Sequence, residues 1–558
     1  MIQTGLLFFV VTAFVACLGA MIVGMLAPPV SLAALCSGIL YCYFDRRFRT
    51  LKISPRPTSL WVKILYAFIL GGIYAHSIFL FYLKEPTTWW IQNASNLGDL
   101  SFHFSAIRNL ARGAHFWPEN PIFLGFRFRY PFGMDLFNAL FENLGVAIQT
   151  HLPLVTFFGL LLTLAALHVA GGPLLVFTIF FSAGFYNFLQ AGSWDIHKLQ
   201  DGLDFKNLFL SVLINQRGFV YALPAGVFLW KAFNENFFNE WKPGRFEKIS
   251  LGLIWGGLGF FHLHSFFIVS LFLGLLILWQ KRLRTWWPSV LIAFFAGLPF
   301  VLNALLPEAG LNGFIRWSRG WNRSADVNYF TYWIRNVGPW LVVVAVALVV
   351  FYRAKNWQKL VPLAIATALF ALFAHLILAP WEWDNIKLLV WCYVFALLTI
   401  QDFLWNDRPD WFRAGVFIIF CWPGFLLFLH SLPHATRGTA WVSERELNKA
   451  RILLEGINVN DGMVVAPDYD HPVLVLGQKL YLGYIGHVWS HGYNHVERES
   501  RIRDYFAGNP EATAAFPKDQ VRWFYRGPLE KRREKPEFST KGLSKVGEAL
   551  DHELYRFE

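Results

Sequence analysis

The chain has 558 residues, of which 55% are hydrophobic, 18% aromatic and only 15% charged, with a formal net charge of +12 and a mean hydropathy of +0.40. That composition excludes an ordinary soluble domain, in which about a quarter of residues are charged. The basic residues are scattered over short loops without any recognition motif, which excludes nucleic acid as a partner and fits the edges of a membrane protein instead.

The first apolar segment, 5–27, lacks a basic leader and a small-residue cleavage site, so it is expected as a retained helix and not a signal peptide. A spanning helix takes roughly 20 mostly apolar residues. Further candidates follow at 29–44, 60–82, 152–170, 173–189, 218–233, 286–306, 339–351, 360–379, 388–404 and 414–429. The stretch 250–279 is too long for one pass and is interrupted by His262-Leu263-His264, so it is expected as two short helices meeting at those histidines. The total is about 13 passes. Cys17, Cys36, Cys42, Cys392 and Cys421 all lie in apolar segments, so neither disulfides nor a thiolate metal site is expected.

The densest basic loop is Arg46, Arg47, Arg49, Lys52 and Arg56, which the positive-inside rule assigns to the cytoplasm. Lys242 to Lys248, Lys281 to Arg284 and Arg353 to Lys359 then fall on the same side, provided the double-histidine stretch turns back on itself. The N-terminus is expected inside and the C-terminus outside, in a bacterial inner membrane. From about residue 433 the chain becomes polar, with helical patterns at 444–455 and 497–506 and apolar strands at 463–466 and 521–525. The expected fold is therefore an all-α polytopic membrane protein, residues 1–432 with a first outer loop at 84–151, followed by a small α/β extracytoplasmic domain at 433–558.

Residues able to do chemistry gather on the expected outer face. Asp99 and His103 are four apart, which stacks them on one side of a helix, and Arg108 and Arg112 continue the spacing. Asp99 reads equally as a catalytic base for an acceptor hydroxyl and as a helix cap. The same loop holds Arg127, Arg129 and Tyr130; beyond it come Asp195 near His197, then Gln216 and Arg217 at a bilayer edge. Translocated loops should be poor in arginine. The excess, which includes Arg316, points to a phosphate or pyrophosphate on a lipid, with anionic headgroups and local carboxylates as the plainer account.

His262 and His264 sit within apolar sequence, where polar side chains need partners and often line sites. Trp317 and Trp321 belong to a segment rich in rings and amides, a mixture that grips sugars and also forms interfacial belts. Asp384 and Lys387, three apart at the mouth of an apolar helix, are either functional or a structural pair. In the tail, His487, His491 and His495 have a helical spacing that can hold zinc, although Ser490 and Gly492 favour a loop covering the site.

These features resemble the GT-C superfamily of membrane glycosyltransferases, which includes protein O-mannosyltransferases, aminoarabinose transferases and the catalytic oligosaccharyltransferase subunit. The likeness lies in the many passes, a first large outer loop opening with an acid in Gly98-Asp99, and a C-terminal outer domain. Within that loop, His103 and Tyr130-Pro131-Phe132 resemble an uncharacterised bacterial branch. The resemblance implies sugar transfer from a polyprenyl-phosphate or pyrophosphate donor to a glycan, lipid or protein acceptor, with Asp99 as base or as ligand to a divalent cation, Mg or Mn. The frequent acidic pair of the family is missing, because Leu100 follows Asp99. Two other classes stand beside this reading: a transporter or flippase, which would show matching broken helices in two halves, and a non-catalytic envelope-assembly protein.

Overall fold

The computed structural model of the chain describes residues 1–51, 58–84, 87–93, 96–182, 202–306, 315–434, 437–509, 511–512, 515–517 and 519–558. Six of its helices are long and apolar enough to cross a membrane: Ile2–Val23, Leu60–Ile78, Ile148–Phe180, Leu283–Leu305, Glu382–Leu404 and Asp410–Ser431. Tyr329–Val337 and Pro339–Arg353, bent by 92° at their junction, make a seventh if taken together. The chain is an integral membrane protein. The expected count of about 13 passes is not reached by this measure among the described residues. Pro28–Phe48 carries Asp45, Arg46 and Arg47, while Arg245–Phe261, Leu263–Trp279 and Trp357–Phe373 are each 17 residues long. Helices packed among others need less apolar length, because neighbours shield the backbone that lipid would otherwise meet.

Two chain reversals follow from local chemistry. The run Ile148–Phe180 breaks at Gly172 (φ 61, ψ −161), a conformation open to glycine, and Pro173 then starts a fresh helix. His168 bonds Tyr66, Phe177 meets Trp61 and Trp405, and Phe180 reaches Phe209 and Phe428, so the second limb returns along the helix Leu60–Ile78. The two expected segments 152–170 and 173–189 are thus one hairpin as far as residue 182. At His262 the backbone is extended between Arg245–Phe261 and Leu263–Trp279, and Trp255 donates to Ser270 Oγ at 2.8 Å, so the double-histidine stretch does fold back.

One end of the bundle is basic and tightly tied. Glu247 accepts from the backbone N–H groups of Thr50 and Leu51, and Trp241 donates to Thr50 Oγ1. Asp45, fully buried, is held by Gln3, Ser250 and Arg49, as a carboxylate out of water requires.

The opposite end carries the 81–147 segment and the chain beyond 433. Four strands there form a mixed sheet in which Gly462–Val464 runs parallel to Val521–Arg526, followed by antiparallel His552–Phe557 and Leu543–Ala549. Helices Glu444–Leu453 and Val496–Phe506 stand within two residues of their expected bounds. Unforeseen was a second sheet in which Thr439–Ser443 pairs with Thr88–Ile91, itself paired with Phe81–Lys84. Trp441 also donates to Ser101 Oγ at 2.8 Å, so the late chain is stitched onto the helix Leu97–Ala111.

Gly477 belongs to this joint. Its φ is +77°, and a Cβ there would stand 2.6 Å from the backbone nitrogen of Asn109. Replacing Gly477 with Ala is expected to cost more than about 1 kcal/mol through strain and clash together. Thermal unfolding, with limited proteolysis at the joint, checks it; an unchanged melting temperature contradicts the packing.

Candidate functional site

The capping position of the helix Leu97–Ala111 is Asn96, whose side chain makes no cap bond, so Asp99 lies in the first turn and not at the cap. An acid in the first turn is favoured by the helix dipole, which leaves the carboxylate free to point elsewhere. The Asp99 side chain keeps 31% exposure, and Oδ1 lies 3.8 Å from His487 Nε2. One turn later His103 Nδ1 meets Asp135 Oδ1 at 2.8 Å in a pair almost fully buried. Between them Phe102 stacks on the His487 ring, centroids 5.3 Å apart, and meets the edge of His491. Tyr130 completes the cluster, with its ring 5.1 Å from Phe102 and 5.0 Å from His491.

Burial pushes the Tyr130 hydroxyl well above its ordinary range; Asp135, Asp99 and Asp384 push the same way, and Arg217 opposes them. One hydroxyl therefore feels carboxylates from the first loop and from the mouth of a late helix, so the two regions share one end of the bundle. Asp384 pairs with Lys387 at 3.1 Å. His262 accepts from Ser265 N as a helix cap, its ring 5.8 Å from His264, and Gly218 packs against the Phe261 carbonyl beside it.

Arg217 is 1% exposed. It donates through Nη1 to Thr156 Oγ1 at 2.6 Å, while Nε and Nη2 have no partner among the described residues. Desolvation lowers its pKa to about 10, with Asp135 raising it. A guanidinium still charged at neutral pH, with two bonds unmade, is a costly arrangement unless something negative completes it.

His487 and His491 are both held below the ordinary histidine value of 6.5, first by burial and, for His491, also by His487 and Lys387. A lowered folded pKa means that below about pH 6.5 the unfolded chain binds more protons, so stability is full above that pH and lost as pH falls through it. The melting temperature is expected to drop between pH 7 and pH 5, and less so in a His487→Gln/His491→Gln double variant. Equal slopes for the two proteins would contradict this.

Other expected residues are engaged elsewhere. Arg108 pairs with Glu142 and the Val475 carbonyl, Arg127 reaches the Leu306 carbonyl and Arg129 that of Ala304. Arg316 pairs with Glu382 at 3.2 Å, Trp321 is buried with its indole on the Glu382 carbonyl, and Trp317 is exposed, stacked on His375. Gln216 is half-buried beside Arg217. Asp195 lies outside the described residues. Near Tyr130 the expected gathering of loop arginines therefore reduces to Arg217, because Arg127, Arg129 and Arg316 reach backbone carbonyls or carboxylates elsewhere and Arg108 turns to Glu142. Asp135 was not singled out in the sequence; an acid opening the helix Gly133–Asn143 right after Tyr130 was the available signal. His495 separates from its two partners and pairs with Glu499, since Gly492 (φ +88) ends the helical spacing.

Among the described residues, no group of three ligand atoms within 4.8 Å includes Asp99. Among the described residues, only Glu446, Asp551 and His552 bring three ligand atoms within 4.8 Å. There Lys449 Nζ lies 2.9 Å from Glu446 and 2.5 Å from Asp551, so an ammonium already supplies the positive charge.

No protein-family model matches the sequence, and no curated protein is similar to it. Solved structures similar to the chain include the Archaeoglobus fulgidus oligosaccharyltransferase in its apo form, with 11% identity, a TM-score of 0.38, and coverage of 88% of this chain and 73% of that one. The Archaeoglobus fulgidus AglB in complex with an inhibitory peptide and a dolichol-phosphate is similar at 10% identity and a TM-score of 0.36, over 84% of this chain and 70% of that one.

Proposed function

We propose that the chain is a membrane glycosyltransferase that moves a sugar from a polyprenyl-phosphate or pyrophosphate donor to an acceptor hydroxyl on the extracytoplasmic face. The observation that carries it is that Tyr130 stands within electrostatic reach of both a partly exposed carboxylate, Asp99, and a buried guanidinium, Arg217, whose Nε and Nη2 lack partners among the described residues. The sequence resemblance to GT-C enzymes points the same way.

In this reading Asp99 takes the proton of the acceptor hydroxyl as its oxygen bonds to the anomeric carbon. The bond from that carbon to the donor phosphate breaks, and its electron pair leaves on the phosphate oxygen. Arg217, oriented by Thr156, binds that oxygen through its unpaired fork and stabilises the charge that develops there. Tyr130 and His491, which are only partly buried, offer ring faces to the sugar. Asp135 fixes the orientation of His103. The site end would face away from the cytoplasm of a bacterial inner membrane, with residues 433–558 as a domain covering it.

Lipid extraction and mass spectrometry of the purified chain test the proposal. A sugar on a polyprenyl phosphate or pyrophosphate is the expected finding. Ordinary phospholipids alone, with no sugar transfer when membrane extracts are added, would overturn it.

A further inference from the structure

A second cavity lies away from Asp99, at the other end of the helix Leu97–Ala111. Arg108, nine residues on from Asp99, is about 14 Å further along the axis. The space is about 730 Å³, and Arg108, Arg112 and Arg451 all line it. Glu142 and Glu455 line it too, but Glu142 is already engaged by Arg108 Nε and lies 3.9 Å from His151. Among the described residues Arg108 Nη2 has no partner and Arg451 bonds Asn448 alone, while Arg112 is engaged by the Leu476 and Ile457 carbonyls and by Gln478 Oε1. Arg451 bears electrostatically on Arg108, and Arg108 on Arg112.

The same cavity receives the start of the helix Ile148–Phe180, through Ala147, Ile148 and Gln149. That start has no side-chain cap and no acid in its first turn, so its unpaired N–H groups and the positive end of a long dipole face the three arginines. Positive groups are converged here with too little negative charge. The remaining wall is apolar, with Ile452 63% exposed, and Leu154, further down the spanning helix, is 55% exposed. A cavity opening where a membrane span begins lies at headgroup depth.

We propose that this cavity binds a phosphate ester, its oxygens held by Arg451, Nη2 of Arg108 and the N-terminus of the helix Ile148–Phe180, with any apolar tail against Ile452. This site is independent of the sugar-transfer reading. A lipid headgroup and a free phosphate share the chemistry, and the experiment separates them.

The full-length chain in detergent is titrated by native mass spectrometry with phosphatidylglycerol, with diacylglycerol of the same acyl chains, and with inorganic phosphate. Phosphatidylglycerol is expected to bind at least roughly tenfold more tightly than diacylglycerol, as loss of charge-assisted bonds implies. Arg451→Gln is expected to remove most of that preference. Gln149→Glu should also weaken binding, since its carboxylate takes the place of the phosphate, while the helix itself gains stability. Displacement of the lipid by millimolar inorganic phosphate supports a free phosphate occupant, and persistence of the lipid supports the headgroup. Equal binding of phosphatidylglycerol and diacylglycerol, or wild-type preference in both variants, overturns the proposal.

Discussion

Asp99→Asn is expected to lower sugar transfer by about 10² to 10⁴-fold, the usual contribution of a positioned base, while the donor stays bound. Asparagine keeps the shape and the first-turn position but cannot accept a proton. Folding should be indifferent to the change, because Asp99 makes no hydrogen bond among the described residues and its nearest ionic neighbour, His487, is 3.8 Å away. The measurement is release of free polyprenyl phosphate from the donor found in the lipid extract, alongside a melting curve. Wild-type turnover in the variant would remove Asp99 from the chemistry. Its position one turn before the buried His103–Asp135 pair would then be structural only.

Arg217→Met should lower transfer by about 10² to 10³-fold, the cost of losing one preorganised donor to a developing oxyanion. Its stability should hold or rise. Removing a buried cation with two unmade bonds relieves a desolvation cost, and the methionine fills much of the volume. Arg217→Lys retains the charge but loses the planar fork, so its activity is expected between the two. The paired readout separates roles: a merely structural arginine, balancing Asp135, would lose melting temperature and turnover together. That result would sink the phosphate assignment.

The arginines show how far charge in a sequence can be read. Eight or more arginines in expected outer loops suggested one anion site, yet Arg108, Arg129 and Arg316 find carboxylates or carbonyl oxygens within their own neighbourhoods. A guanidinium has five donors and takes whatever oxygen is near, so spacing alone cannot say which one stays unmatched. Arg217 is left unmatched because its helix start is wedged against the Phe261 carbonyl, where among the described residues Thr156 alone bonds it. In the same way His487 looked like one member of a histidine trio; the turn at Gly492 takes His495 away to Glu499, while His487 stands beside Asp99.

By itself the sequence determined that this chain lives in lipid, that the double-histidine stretch reverses, and that the late chain holds helices near 444–455 and 497–506 and strands near 463–466 and 521–525. These are properties of apolar period, glycine, proline and capping residues, which act within a few residues of one another. Only the tertiary structure decided that Asp135 holds His103, that Thr439–Ser443 extends a sheet begun at Phe81–Lys84, and that Asp99, Asp384 and Arg217 act on one tyrosine. Those pairings join positions far apart in the chain, and they are chosen by which buried polar groups remain unsatisfied once the helices pack, a quantity that no local pattern contains.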